Sequence, residues 1–520
     1  MATEYMDRKK APSQVSQPPP AKIRTEEPDL ENKPTAKSAA PSVVVQHLFP
    51  ETDFDRGVVG WDGQDDPNNP QNFSAGRKWG LISLISAFTF ISPLASSMFS
   101  PAVSYVAVDL KETNETILSF TVSIYILGYA FGPLLLAPLS EIYGRRIVLG
   151  AANWFFVAWQ IGCALAQNIE TLIICRFFAG IGGSACITLG AGVIADLMPI
   201  EKRGMATSIW GVGPLIGPVA GPIAGGFLGE EVGWRWVFWV LLIASGVMAL
   251  AIEALNQETY APVLIRRKTA KLAKTLGRSD LRSAYEKNHE HASVGEILVQ
   301  GMKRPILLLV KSPIVLLLSL YMSLIYGLLY LFFTTIPTVF TTQYGFSTGL
   351  SGLAYLGIGV GFILGLGSVA ATNDRIVVKL TDRKGKYEPE MRLPLMIFFS
   401  CILPISFFWY GWTADKHVHW IAPIIGMIPF GVGMMGVYLP IQAYVIDCYS
   451  AYAASANATL TATRSLVGAL LPLAGPAMFE ALGLGWGNSL LGFLALAFVP
   501  IPLFFTRYGK AIREKWPVEL

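Results

Sequence analysis

The 520-residue sequence is short of charge: Asp, Glu, Lys and Arg make up only 15% of it, against about 25% in soluble proteins. Apolar residues take their place, at 52% of the chain with a mean hydropathy of +0.47. So large an apolar share places much of the chain in lipid. The formal charge of +4 is too small to point to nucleic acid. Cysteine is scarce as well. Cys163, Cys175, Cys186, Cys401 and Cys448 lack metal-ligand spacing, and the first four fall in apolar runs. They read as small, reduced residues, so no disulfide or metal is expected. A phosphate-cradling Gly-x-x-x-x-Gly-Lys-Ser/Thr loop is absent, as are catalytic serine, cysteine and zinc patterns. Direct ATP hydrolysis, enzymatic activity and cofactors are therefore not expected. Residues 1–78 hold no apolar core of a secretory signal, and Pro, Lys, Glu and Ser dominate 8–41. The reading there is a disordered N-terminal tail over 1–78.

What the sequence does have is twelve apolar runs near the roughly 20 residues needed to cross a bilayer. They fall at about 80–103, 117–139, 147–166, 171–195, 205–228, 234–255, 312–334, 350–371, 393–412, 419–445, 454–479 and 486–506. These spans, numbered 1 to 12, predict an all-α polytopic membrane protein in two six-helix halves, 79–255 and 312–506. A charged linker, 256–311, joins them, and a short tail, 507–520, follows. One set of loops holds Arg77, Lys78, Arg145, Arg146, Lys202, Arg203, the linker and the C-terminal tail with its basic residues. The opposite set holds only Lys111, Arg235 and Lys416. By the positive-inside rule the first set and both termini are cytoplasmic. Asn114-Glu115-Thr116 is then an N-glycosylation sequon on the outer side, close to the bilayer.

The most informative stretch is 128–146, where a Gly- and Leu-rich helix ends in Glu141, Gly144, Arg145 and Arg146. The two arginines hold this loop inside. They can also form a charge network with Glu141, and with Asp196 near the same surface. The halves echo one another: span 4 ends in Val193-Ile194-Ala195-Asp196 and span 10 in Val445-Ile446-Asp447, while Asn373-Asp374-Arg375 reads as a degraded copy of the Arg145 loop. Two parallel six-helix repeats around a cavity form a transporter architecture.

Two arginines lie at membrane depth, Arg176 in span 4 and Arg464 in span 11. A buried charge there costs about 2.5–3.5 kcal/mol on insertion scales, so both must face the protein interior or water. Each is either a coupling or cavity charge or a structural residue satisfied by helix carbonyls. In span 5, Gly213, Gly217, Gly221 and Gly225 form one stripe, with Pro214, Pro218 and Pro222 beside it. That pattern predicts a bent, closely packed helix. Spans 1, 4, 7 and 10 are the expected cavity helices. Tyr326, Tyr330, Tyr438 and Gln442 are its candidate lining, with Phe88, Phe90, Phe333 and Tyr444 as further aromatics. Such a lining suits a bulky, apolar or amphipathic small molecule, a cation included.

Ala137-Pro-Leu-Ser-Glu141-Ile-Tyr-Gly144-Arg145-Arg146 resembles the loop 2–3 motif of the major facilitator superfamily. Arg176-Phe-Phe-Ala-Gly180-Ile-Gly182-Gly183 resembles its helix 4 motif, and Gly213-Pro214 through Gly225-Gly226 its helix 5 antiporter motif. Asp66-Pro67-Asn68-Asn69-Pro70-Gln71-Asn72 and Pro389-Glu390-Met391-Arg392-Leu393-Pro394 are similar to signatures of the fungal twelve-span drug:proton antiporter branch. Where many of its members read Pro-Glu-Thr-Tyr after helix 6, this chain has Gln257-Glu258-Thr259-Tyr260. The resemblance implies a monomeric, proton-coupled efflux pump of the plasma membrane that exports drugs, toxins or secondary metabolites. It favours a gate latch at Arg145 and proton coupling at Arg176. Polyamine or nutrient transport is the alternative within the class, and a non-transporting membrane sensor the alternative outside it.

Overall fold

An apolar run in lipid has no water to bond its backbone, so it must satisfy its own N–H and C=O groups as a helix. In the computed structural model, which describes residues 49–285, 294–449 and 453–516, the expected runs are helical. Spans 1 to 6 contain the helices Ala75–Ser97, Glu115–Tyr143, Arg145–Ala164, Ile169–Leu197, Ile200–Glu231 and Trp234–Leu255. Spans 7 to 10 contain Pro313–Tyr344, Leu356–Lys384, Leu393–Asp415 and Ile428–Cys448. Among the described residues, eleven stretches are long and apolar enough to cross a membrane. The last, Ser455–Lys515, has 61 residues. At 1.5 Å per residue that is about 90 Å, two crossings rather than one. Gly483, with φ 71° and ψ 173°, breaks the helix where span 11 ends and span 12 begins.

Several helices outrun their apolar cores, because hydropathy marks only the part inside hydrocarbon. Span 8 continues in polar turns to Lys384 and stops at Gly385, in the left-handed region at φ 68°. Asn373-Asp374-Arg375 therefore lies inside a helix and is not a copy of the Arg145 loop. Span 12 likewise continues through 507–515 as part of the helix Pro500–Lys515, where a separate tail was expected.

Contacts within the halves repeat. Span 1 packs on 5, 2 on 4, 3 on 4 and 3 on 6; in the second half 7 packs on 11, 8 on 10, 9 on 10 and 9 on 12. Between the halves, span 2 meets span 11 and span 5 meets span 8, a pair that the same repeat exchanges. The hydrogen bonds that cross between the halves, among the described residues, lie from mid-span toward the side expected to face outward. Ser96 Oγ is 2.9 Å from Tyr330 Oη, Ser100 donates to the Phe333 carbonyl, and the Gly349 N–H donates to Glu230 Oε2 at 2.6 Å.

The expected tail differs from the structure over 49–74; its first 48 residues lie outside the described residues. Strand β1 (Val58–Val59) pairs in parallel with β2 (Arg282–Ser283) in the linker. Trp61 is buried and donates from Nε1 to Tyr285 Oη at 3.0 Å. Asp66 accepts from the backbone of Asp62 and Asn68, at 3.1 and 2.8 Å. Burial opposes the charge of Asp66, but these N–H groups outweigh it and hold its carboxyl below the usual range. The linker itself holds two helices, α1 (Ala261–Leu276) and α2 (Val294–Lys311). Helix α1 packs under the Arg145 loop: Arg266 donates to the Ile142 carbonyl and Arg267 to that of Tyr143 at 3.1 Å. Helix α2 rests on spans 2, 7 and 11.

Candidate functional site

The Arg145 loop owes its shape to Gly144. With φ at 100° it breaks the helix between Glu141 and Arg145, which would otherwise be neighbours one turn apart. Arg145 turns inward and its Nε lies 3.3 Å from Asp196 Oδ2. Its guanidinium also donates to Ser140 Oγ and stacks 4.6 Å from the Tyr260 ring centroid. Glu258 Oε1 accepts from the backbone N–H of Arg145 at 2.8 Å, capping span 3, and from Thr259 and Tyr260 at 3.1 Å each. Burial pushes the Tyr260 phenol up, with Glu141 adding to the shift. Glu141, expected in this network, is instead exposed and has no ion-pair partner among the described residues. Arg146 lies 3.9 Å from Glu253. Glu258 was missed as a site residue. Its signal was a carboxylate just past the end of span 6, in a segment that departs from the Pro-Glu-Thr-Tyr pattern only at Gln257.

The second half has a matching cluster. Arg392 Nε and Tyr387 Oη each lie 2.5 Å from Asp447 Oδ2. Arg513 reaches Glu390 at 3.3 Å, so a carboxylate before span 9 meets a cation after span 12. In the first half the carboxylate, Glu258, follows span 6. Lys510 and Lys384 flank Glu388 at 2.7 and 3.0 Å and hold its carboxyl down at about 2. All these pairs lie within one half or its linker. None bridges the halves in this arrangement.

The membrane interior carries two arginines in contrasting surroundings. Arg176 is 1% exposed and donates to the carbonyls of Thr121 at 2.6 Å, Ser96 at 3.2 Å and Val122 at 3.3 Å. The rings of Phe99, Tyr125 and Phe238 surround it, with centroids 4.8, 5.4 and 5.7 Å away. It ties spans 1, 2 and 4 together. Arg464 is 7% exposed and lies between Tyr326 and Tyr438, with ring centroids 4.9 and 5.1 Å away. Its Nη1 donates to Tyr438 Oη, while its buried Nε has no acceptor among the described residues.

A belt of tyrosines connects the two. Ser92 Oγ lies 3.0 Å from Tyr125 Oη and 2.5 Å from Tyr129 Oη, and Tyr330, bonded to Ser96, lies 5.2 Å from Tyr326 with the rings tilted by 50°. The structure thus brings Tyr326, Tyr330 and Tyr438 together around Arg464. Gln442 lies one turn from Tyr438 and donates to Asn457 Oδ1 at 3.0 Å. Phe88 is fully buried and packs edge-on against Phe156 at 5.6 Å. Tyr444 is buried beside Glu390.

The glycine stripe of span 5 packs on span 1. A Cβ at Gly213 or Gly217 would lie 2.9 or 2.8 Å from Phe90 backbone atoms, and one at Gly225 only 1.6 Å from the Met98 carbonyl oxygen. The Pro222 turn faces the other half: its carbonyl oxygen lies 2.4 Å from where a Cβ on Gly352 would sit. Pro214, Pro218 and Pro222 leave the helix continuous. Asn114 caps span 2, accepting from Thr116 and Ile117 at 2.9 and 3.3 Å, and is exposed.

The comparisons agree with this architecture. The sequence model of the Major Facilitator Superfamily matches residues 85–472. The MFS-type transporter penM of Penicillium rubens is 50% identical over 459 residues, covering 88% of this chain and 90% of penM. The MFS transporter cpaT of Aspergillus oryzae is 49% identical, covering 88% of this chain and 91% of cpaT. The efflux pump radE of Floropilus chiversii is 41% identical, covering 89% and 86% respectively. Among solved structures, the xylose transporter XylE from E. coli, in a partially occluded inward-open conformation, aligns at a TM-score of 0.62. That alignment has 17% identity and covers 84% of this chain and 98% of XylE, a likeness of fold.

Proposed function

This chain belongs to the Major Facilitator Superfamily and is a multi-pass membrane transporter rather than an enzyme, and from that premise we propose that it exports small, largely apolar organic compounds against their gradient, coupled to protons. The observation that carries the proposal is the interior where the halves meet. Tyrosines from spans 2, 7 and 10 gather there around two arginines, a lining with large apolar faces and few polar tips. The efflux pump radE supports the outward direction, and the cargo class we favour is drugs, toxins or secondary metabolites. Plasma-membrane location, cytoplasmic termini, a monomeric state and glycosylation at Asn114 belong to the same reading.

Two halves that exchange the contacts 2–11 and 5–8 under one repeat are suited to rocking between two arrangements. In this one, hydrogen bonds join them from mid-span outward. The Arg145–Asp196 and Arg392–Asp447 pairs fix the inner ends of the spans within each half, as rigid pivots. Each proton that enters in exchange for cargo draws on the membrane potential, about 2.3 kcal/mol per charge per 100 mV. Polyamine transport is disfavoured, because the acidic residues of the spans, such as Asp196, Asp447 and Glu480, lie toward their ends. A polycation would meet arginines at the centre.

The test is accumulation. The chain is expressed in a host without its own efflux pumps, and retention of a broad panel of labelled drugs and metabolites is measured with and without a protonophore. Reduced retention, restored by the protonophore, is the expected result. Unchanged retention across the panel removes the export reading.

A further inference from the structure

Arg176 and Arg464 set the question. Both are buried arginines without an ion-pair partner among the described residues. Arg176 spends its donors on three carbonyls of neighbouring helices. Arg464 has one protein acceptor, the Tyr438 hydroxyl, and its Nε faces none among the described residues. A guanidinium offers five N–H donors in a fixed planar fork and keeps its charge. Leaving a buried donor unmade is costly, and more so for an ionised group. The cost is sustained where a second molecule supplies the acceptor during the working cycle.

The surroundings define that acceptor. Arg464 lies near mid-membrane, eleven residues after Ala453 and nineteen before the Gly483 break. The Tyr326 and Tyr438 rings flank the guanidinium, and its Nε is a buried donor with no acceptor among the described residues. Tyr330 lies beyond Tyr326, and Gly468 lets the Tyr326 ring approach closely, since a Cβ there would lie 3.0 Å from the ring. Asp196, Asp447 and Glu390 near the inner surface are already engaged by Arg145, Arg392 and Arg513. A planar fork gripped by rings in an apolar setting matches a carboxylate, which accepts two parallel N–H bonds, with an apolar body resting on tyrosine.

Resting on the export reading above, we propose that Arg464 anchors an acidic group of the cargo, a carboxylate or a comparably acidic oxygen on an otherwise apolar molecule, with Tyr438 as the residue that positions the guanidinium. The site selects acids over esters and amines of the same shape. A charge-assisted bond of this kind corresponds to about a tenfold to hundredfold preference.

The probes are 1-pyrenebutyric acid, its methyl ester and 1-pyrenebutylamine, measured for binding to the purified full chain in lipid nanodiscs. The expected order is acid well above ester, with amine weakest. Arg464→Gln should lower acid affinity at least tenfold and change ester affinity less than twofold. Arg464→Lys, which keeps the charge and loses the fork, should keep a weakened preference for acid. Tyr438→Phe should lower acid affinity several-fold through misplacement of the guanidinium. Acid and ester binding equally, no binding of acid, or Arg464→Gln weakening both alike would each overturn the anchor. If Arg464→Gln does not yield a monodisperse protein, Arg464→Lys decides, and an unchanged acid-to-ester ratio overturns the proposal. The export reading is judged separately by the protonophore panel, so an exporter that ignores the acid leaves that reading standing and removes this one.

Discussion

Gly144 and Glu258 fit together without room for a side chain between them: a Cβ on Gly144 would lie 2.0 Å from Glu258 Oε2. The glycine also has φ at 100° and ψ at 161°, a backbone region that other residues hold only at a cost of about 1–3 kcal/mol. Gly144→Ala should therefore lower the melting temperature of the detergent-purified chain. Adding Glu258→Ala removes the clash and leaves the backbone strain, so recovery should be partial. Full recovery would mean that strain plays no part.

Asp196 and Asp447 make equivalent ion pairs in unequal burial. The Arg145–Asp196 side chains are 13% and 18% exposed, those of Arg392–Asp447 24% and 26%. Hydrogen bonds to charged groups contribute about 1.5–3 kcal/mol. Asp196→Asn should cost the upper part of that range and Asp447→Asn the lower, read from denaturation midpoints in mixed micelles. The reverse order would show that burial does not govern these pairs.

Glu388 ties the end of span 12 to the loop before span 9 through Lys510. Its carboxyl is held at about 2, against an ordinary 4.5. A lowered folded value stabilises the tie fully above about pH 4.5, and the contribution disappears as pH falls through 2. Limited proteolysis with pepsin should find 507–516 equally protected at pH 5 and pH 4.5, and cleaved faster near pH 2. Glu388→Gln should give the fast rate at every pH. A release already complete at pH 5 would contradict the assignment.

Arg176 is placed as a tie between helices, so Arg176→Lys should be destabilising although it keeps the charge. A lysine has no planar fork to meet three carbonyls and stacks less well on the rings. Loss of about 2 kcal/mol or more, seen as a lower melting temperature and lower yield, is the expected outcome. A stable Arg176→Lys chain with altered proton dependence would return Arg176 to coupling.

Gly225 and Gly352 separate two kinds of contact. The first meets span 1 of its own half, the second the Pro222 carbonyl of the opposite half. Gly225→Ala should lower thermal stability. Gly352→Ala should loosen the outer seam and raise the rate at which an impermeant thiol reagent added outside labels a Ser96→Cys probe. Equal labelling in both backgrounds would remove the distinction.

The spans were legible because lipid imposes helix on any long apolar run. Span 6 is read with its observed ends, Trp234 and Leu255, since Gly233 and Asn256 punctuate it. The helix ends beyond hydrocarbon were not legible, and Asn373-Asp374-Arg375 was mistaken for a loop for that reason. The folded segment 49–74 was hidden by its neighbours. Prolines and charges of 8–41 set the composition of the tail, while Trp61 and the Asp66–Asn72 turn signals already marked local structure. Asp196 was found by its position, but Glu258 binds a backbone N–H 113 residues away, which no local period encodes. Tyr326 and Tyr438 are read together as cavity lining, without Arg464 between them. That both close on Arg464 depends on how spans 7, 10 and 11 meet.

Span 5 presents glycines to span 1 and its Pro222 turn to span 8, so a single helix answers to two separate demands. Changes on its glycine side should alter how well the first half assembles, and changes at the Pro222 turn how long the assembled molecule dwells in one arrangement before turning to the other. Variation along this helix should therefore divide by helical face into changes of abundance and changes of turnover, even between adjacent positions such as Gly221 and Pro222.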